Sequence, residues 1–307
     1  MKTILVPTDF SECANNALRV ATDIARKTDA SVHIVHVYER PYFGNTELQV
    51  NTTANNKIVN KIKEEMEKLV AQDFAKGIKI IRHILWDIPI TEIEKYDKVK
   101  NADLIVMGSH GCKGWKELFI GSNTEKIVRL SNIPVLVIKE KIEKFEMKNI
   151  VFASNFDDHV DKVFIRINKL FNLFDARIHL LKVNTQSHFE KTVHSMKRMR
   201  KFARQFHLPE ATMTTYNDDS VEEGIRHFSN TIGADFIAME THGRTGVAHL
   251  INGSITENLV NHVSTPVLSV KTSIPLKKGQ SSKNYQSKFV PRNKRNEYFF
   301  ENQIPAI

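Results

Sequence analysis

Residues 102–139 read ADLIVMGSHGCKGWKELFIGSNTEKIVRLSNIPVLVIK, and residues 234–271 read ADFIAMETHGRTGVAHLINGSITENLVNHVSTPVLSVK. Laid side by side without a gap, the two stretches are identical at seventeen of 38 positions. The segments that open each half match as well: Ile4-Leu-Val-Pro-Thr-Asp-Phe10 stands against Ile150-Val-Phe-Ala-Ser-Asn-Phe156. A repeat this long signals duplicated domains and not a solenoid of short units. The chain therefore divides into residues 1–140, residues 147–272 and a tail, 273–307, with the charged stretch Glu140 to Lys148 as linker.

Within the first unit, short apolar β-branched runs alternate with amphipathic stretches. Thr3–Pro7 reads as a strand, and Ser11 can cap a helix carrying Ala14, Ala17, Leu18, Ala21 and Ile24 at helical spacing. A strand over 32–37, a helix over 56–75, a strand over 78–85 and a helix over 89–99 follow. A strand over 104–107, a helix from about Thr124 to Leu130 and a strand over 135–138 complete the unit. Strands of this kind separated by helices form a buried parallel sheet with right-handed crossovers. Such a sheet takes its ligand outside the carboxyl ends of its strands, where the strand order reverses.

The 307 residues suffice for two such cores. A hydrophobic fraction of 41% and a charged fraction of 26% are those of a globular chain. The opening residues lack the apolar core of a signal peptide, and no run reaches membrane-spanning length. Cys13 and Cys112 make no disulfide framework, which together with the missing signal leads us to expect a cytoplasmic protein. The net charge is +9, of which the tail supplies seven Lys or Arg against two Glu. A basic tail either draws nucleic acid or an anionic membrane, or is a solvated, disordered end. Tyr298, Phe299 and Phe300 are the one sign that this tail docks.

The strand at 104–107 runs into Gly108-Ser-His-Gly111-Cys-Lys-Gly114, and Gly121-Ser122 precedes the next helix. Glycines let the main chain approach a ligand closely, and successive N–H groups at a helix start bind anions. This chemistry suits a phosphate, although a glycine-rich turn alone would look similar.

The spacing Gly108-x2-Gly111-x9-Gly121-Ser122, with Asp9 after the first strand and Ile-Pro-Val-Leu-Val-Ile at 133–138, resembles the ATP-binding subgroup of the universal stress protein family. The resemblance spans both units. It implies two tandem doubly wound α/β domains, each a five-stranded parallel sheet of order 3-2-1-4-5 with helices on both faces. It also implies that adenine lies near Pro7, Thr8, Asp9 and Val37, and that ribose and phosphates lie on Met107, Gly108, His110, Gly111, Gly121, Ser122 and Asn123. ATP, entering with Mg²⁺, is the expected ligand. The last strands of the two units are expected to pair, giving a pseudo-dimer within one chain that can dimerise further.

The second unit departs from this pattern. Glu240 stands where Gly108 stands, Asn155 matches Asp9 and Ala153 matches Pro7, while Gly243, Gly253 and Ser254 are kept. Like charges 4 Å apart cost about 4 kcal/mol at an effective dielectric near 20, roughly a thousandfold in affinity. The second unit is thus expected to be a degenerate site, unless Glu240 turns outward or Arg244 offsets it.

No G-x4-G-K-[ST] loop, kinase motif set, zinc-spaced Cys/His cluster or nucleophile elbow occurs. The sequence reads as a nucleotide-dependent sensor or adaptor rather than an enzyme. One alternative is a slow ATPase or self-phosphorylating protein with Ser109 or Ser122 as acceptor; the other is an adaptor acting through the basic tail. His33 and His36 read as packing or surface positions of a strand. Cys13 and Cys112 are either incidental or a redox pair beside the nucleotide.

Overall fold

Why the apolar runs are continuous becomes clear from the ladder they build. In the computed structural model, β1 (Thr3–Pro7), β2 (Ser31–Tyr38), β3 (Ile80–Trp86), β4 (Leu104–Gly108) and β5 (Val135–Ile138) lie parallel in the order β3-β2-β1-β4-β5. The structure describes residues 1–38, 52–86, 93, 101–109, 121–157, 160–242, 255–272 and 298–301. Ile4, Leu5, Val6 and every residue from Leu104 to Met107 are buried, because helices cover both faces of the sheet. On one face, α1 (Glu12–Thr28) lays Ala17, Leu18, Ala21 and Ile24 inward; Ser11 caps it, its Oγ accepting from the Ala14 N–H at 3.2 Å. Next to it runs α2 (Thr52–Val70), which ends before a separate 3₁₀ turn at Asp73–Ala75, so the single helix expected over 56–75 is interrupted. The helix expected over 89–99 lies outside the described residues apart from Ile93, which is buried.

The second unit repeats the first to the residue. β6 (Asn149–Ala153), β7 (Arg177–Asn184), β8 (Thr212–Asn217), β9 (Phe236–His242) and β10 (Val267–Thr272) again lie parallel, in the order β10-β9-β6-β7-β8. Ile4 pairs with Val32 and Leu104; its equivalent Ile150 pairs with Ile178 and Phe236. The crossovers are α4 (Val160–Phe171), α5 (Thr192–Gln205) and α6 (Val221–Ile232), while α3 (Ser122–Leu130) and α7 (Ile255–His262) lead into the last strand of each unit. Phe152, Phe156, Phe164 and Phe202 form a tight aromatic group that fixes α4 and α5 over β6.

The two sheets become one where β5 meets β10 antiparallel, pairing Val135 with Ser269, Leu136 with Leu268 and Val137 with Val267. Exchanging the units maps Leu136 onto Leu268, so a pseudo-twofold axis passes between these two buried side chains. Two lysines repeat the symmetry. Lys139 Nζ donates to the Asn261 carbonyl at 2.8 Å, and Lys271 Nζ donates to the Leu130 carbonyl at 3.2 Å. Each ammonium meets the negative end of the partner unit's last helix. Burial pushes the Lys139 pKa down to about 8.

Within the tail, Tyr298, Phe299 and Phe300 belong to a strand. β11 (Tyr298–Glu301) adds antiparallel to β3, from Tyr298 opposite Ile84 to Glu301 opposite Ile81. An outer strand leaves main-chain groups unpaired, and a Tyr-Phe-Phe segment of high β-propensity satisfies them. The rest of 273–307 lies outside the described residues. Among the described residues no helix is long and apolar enough to cross a membrane.

Two equivalent histidines give the fold a pH dependence. His33 Nδ1 lies 3.0 Å from His83 Nε2, and His179 Nδ1 lies 2.8 Å from Thr212 Oγ1. Burial, with Lys79 beside one and Arg177 beside the other, lowers both pKa values. The unfolded chain takes up these protons at about pH 6.5, and the folded chain only at lower pH. Their contribution is therefore complete above pH 6.5 and is lost as the pH falls below it. Thermal melting should weaken from pH 7 to pH 5.5, and a His33→Gln/His179→Gln chain should show a shallower slope. An unchanged slope would refute the assignment.

Candidate functional site

β1 and β4 are neighbours, yet the helices that follow them leave on opposite faces of the sheet, and a cleft opens between their carboxyl ends. Its volume is about 280 Å³, near the lower end for small-molecule sites. Pro7, Thr8, Asp9, Val37, Met107, Gly108 and Asn123 all line it. Gly121 and Ser122 stand at the start of α3, immediately before Asn123. His110 and Gly111 lie outside the described residues.

The turn from β1 into α1 is shaped by side chains. Thr8 Oγ1 accepts from the Phe10 N–H at 3.1 Å, Asp9 Oδ1 accepts from the Ser11 N–H at 3.0 Å, and Phe10 takes a left-handed φ of 64°. Asp9 thus shapes the local turn, and it is exposed at the rim of the cleft. The same turn recurs in the second unit, where Ser154 Oγ accepts from the Phe156 N–H at 2.8 Å and Phe156 has a φ of 56°.

The protein's own packing requires Gly108 to be small. A Cβ there would stand 2.5 Å from the Cys13 carbonyl oxygen and 2.7 Å from the Cys13 Cβ. The missing side chain lets the first turn of α1 close onto the end of β4. Cys13 is buried and lines the cleft; Cys112 lies outside the described residues.

At the far side of the cleft α3 begins without a side-chain cap. Gly121 is its N-cap residue and offers no side-chain oxygen to the first N–H groups of the helix. Thr124 Oγ1 donates to the Gly108 carbonyl at 3.0 Å, tying this first turn to the end of β4. Ser109 is buried beside it, lines the cleft and has a hydroxyl with no hydrogen-bond partner among the described residues. The N–H groups of a helix start, the positive end of its dipole and the Ser109 hydroxyl on one wall suit an oxyanion.

His36 is a wall residue that the sequence reading set aside as packing or surface. Its Nδ1 lies 2.8 Å from the Thr8 carbonyl, and as a donor it leaves Nε2 as an acceptor. Burial lowers its pKa, opposed by the Thr8 carbonyl and the Asp9 carboxylate, so the ring is neutral at pH 7. Its neighbour Val37 was the only signal available, since adjacent residues of a strand end can both border the same cleft. Thr124 was also missed as a wall residue, and Ser109 was singled out only as an alternative phosphate acceptor: only the folded chain brings the end of β4 against the start of α3.

The equivalent place in the second unit is filled differently. Glu240 pairs with Val270 as Gly108 pairs with Ile138, and its carboxylate accepts from Ser154 Oγ at 2.8 Å. Glu240 is therefore held inward against the end of β6 rather than turned away. Lys182, at the position of His36, donates to the Val183 carbonyl at 2.9 Å. Arg198 bridges Glu190 and Asp157 nearby. Asn155 is exposed, and Gly243, Gly253 and Ser254 lie outside the described residues.

Comparison with known proteins agrees with this architecture. The profile of the universal stress protein family matches the chain twice, over residues 1–139 and 146–271. The chain belongs to the universal stress protein family. A universal stress protein of Methanocaldococcus jannaschii is 32% identical over 155 residues, covering 46% of this chain and 96% of that protein. A universal stress protein of Bacillus subtilis is 31% identical over 144 residues, 44% of this chain and 97% of its own length. The crystal structure of a universal stress protein from Archaeoglobus fulgidus superposes with a TM-score of 0.67 at 19% identity, over 88% of this chain and 98% of that one. That likeness supports the tandem doubly wound fold of both units. Universal stress proteins of single-unit length thus correspond to about half of this chain.

Proposed function

We propose that this chain is a cytoplasmic universal stress protein that binds ATP in its first unit and reports adenylate state to a partner protein. The observation that carries the reading is the uncapped start of α3, which faces a cleft whose opposite wall bears Asp9 and neutral His36. Adenine fits between Pro7, Thr8 and Val37, with Asp9 at the rim to accept from its exocyclic amine. Ribose fits against Met107 and Gly108. The phosphates fit the N–H groups at Ser122 and Asn123 and the Ser109 hydroxyl, and Mg²⁺ enters with them.

The second unit serves as a silent mate. The Glu240 carboxylate stands where ribose or phosphate would come, and Lys182, Glu190, Arg198 and Asp157 are engaged with one another or with the main chain. Calorimetric titration of nucleotide-stripped protein with ATP and Mg²⁺ should give one site per chain, with negligible phosphate release over the same period. Two sites would refute the silent mate. No binding would refute the nucleotide reading and leave the fold untouched.

A further inference from the structure

The strongest feature outside the cleft is the outer face of α4 and α5. In the first unit α2 mixes its charges, with Glu64, Glu65 and Glu67 among its lysines. Its counterpart α5 has no acidic residue at all. Ser195, Met199, Phe202 and Ala203 of α5 point inward and are buried. Val193, Lys197, Arg200, Lys201 and Arg204 follow the i, i+4, i+7, i+8, i+11 spacing of a single helical face, and all are exposed. Alongside, α4 exposes Lys162 and Lys169 and carries one acid, Asp161, which accepts from Gln205 of α5 at 2.7 Å. None of these lysines and arginines is ion-paired within the described residues.

Basic charge alone would describe a solvated face. What distinguishes this one is its apolar side chains. Four large hydrophobics are conspicuously exposed among the described residues: Val193 at 76%, Phe189 at 71%, Ile165 at 60% and Leu130 at 42%. Of the three most exposed, Ile165 lies on α4, Val193 on α5, and Phe189 just before α5. Aliphatic and aromatic groups set among Lys and Arg are the composition of a surface that lies on lipid headgroups, where charge attracts and apolar tips insert. A nucleic acid backbone would reward the charges and gain little from Ile165 and Val193.

We propose that the α4–α5 face docks the protein on an anionic lipid bilayer, independently of the nucleotide cleft. Full-length protein should co-sediment with phosphatidylcholine vesicles holding about one-third phosphatidylglycerol, and should release as salt rises. It should not bind phosphatidylcholine alone. A Lys197→Glu/Arg200→Glu/Lys201→Glu/Arg204→Glu chain should lose about a hundredfold or more in vesicle affinity with an unchanged thermal melt. A Phe189→Ser/Val193→Ser chain should lose about tenfold while keeping the salt dependence. Vesicle binding that survives the charge reversals, or that vanishes when only the basic residues of 273–307 are replaced by Gln, would overturn the proposal. So would preferential binding of random duplex DNA that ignores the Phe189→Ser/Val193→Ser change.

Discussion

Replacing Gly121 with aspartate is expected to abolish ATP binding while leaving the fold as stable as before, or slightly more so. The two halves of this expectation rest on one geometry. Gly121 is the N-cap residue of α3, with φ −62° and ψ 144°, an extended conformation open to any L residue. Aspartate is a favoured N-cap, because its carboxylate accepts from the N–H groups two and three residues on, here Asn123 and Thr124. Relative to glycine the gain is a few tenths of a kcal/mol, with a further contribution from the helix dipole. The same carboxylate would occupy the position proposed for phosphate. A like charge at 4 Å costs about 4 kcal/mol at an effective dielectric near 20, which is roughly a thousandfold in affinity. Calorimetry and a thermal melt on one preparation separate the outcomes. Lost binding with a melting temperature equal to or above the parent's supports a phosphate at α3. Unchanged binding would move the phosphates elsewhere, and a collapsed melt would show that Gly121 is needed for packing.

Much of this arrangement could be read before folding. The repeat at 102–139 and 234–271 gave the two units, and the registers of Ile4 and Ile150 show that duplication preserved them to the residue. Periodicity located the strands because a buried parallel strand is apolar on both faces. It located α1 because Ser11 and the Ala17, Leu18, Ala21, Ile24 stripe agree. Tertiary proximity was harder to read. Gly108 looks in sequence like a ligand-facing glycine, and only the fold shows the Cys13 carbonyl already waiting where its Cβ would be. His36 sits in a strand whose alternation gives no reason to single it out, and its bond to the Thr8 carbonyl links two strands. The strand at Tyr298–Glu301 was marked only by its aromatic run within a basic, polar tail whose composition argues for disorder; its partner is the open edge of β3, far away in sequence.

Placing an aspartate at Leu268 is expected to destabilise the first unit, although the substitution lies in the second. Leu268 is fully buried opposite Leu136 on the pseudo-twofold axis. A carboxyl group there must take up a proton, which from its ordinary pKa costs about 4 kcal/mol at pH 7, and losing the leucine's burial adds about 2 kcal/mol. For a unit of this size each kcal/mol moves the melting midpoint by about 2–4 °C, so the shift should exceed roughly 10 °C. Both tryptophans, Trp86 and Trp115, belong to the first unit, so their fluorescence reports that unit alone. If the sheet joined at β5 and β10 is one cooperative body, the tryptophan transition of the Leu268→Asp chain falls together with the far-ultraviolet dichroism of the whole molecule. If the fluorescence midpoint stays in place while half of the dichroism melts early, the units fold separately. The junction would then be only a contact between two complete domains, and a signal from the cleft would have no shared sheet through which to reach the second unit. A common fall would mean instead that opening or tightening the first unit is felt at β10, because β4, which ends at the cleft, hydrogen-bonds β5, and β5 hydrogen-bonds β10.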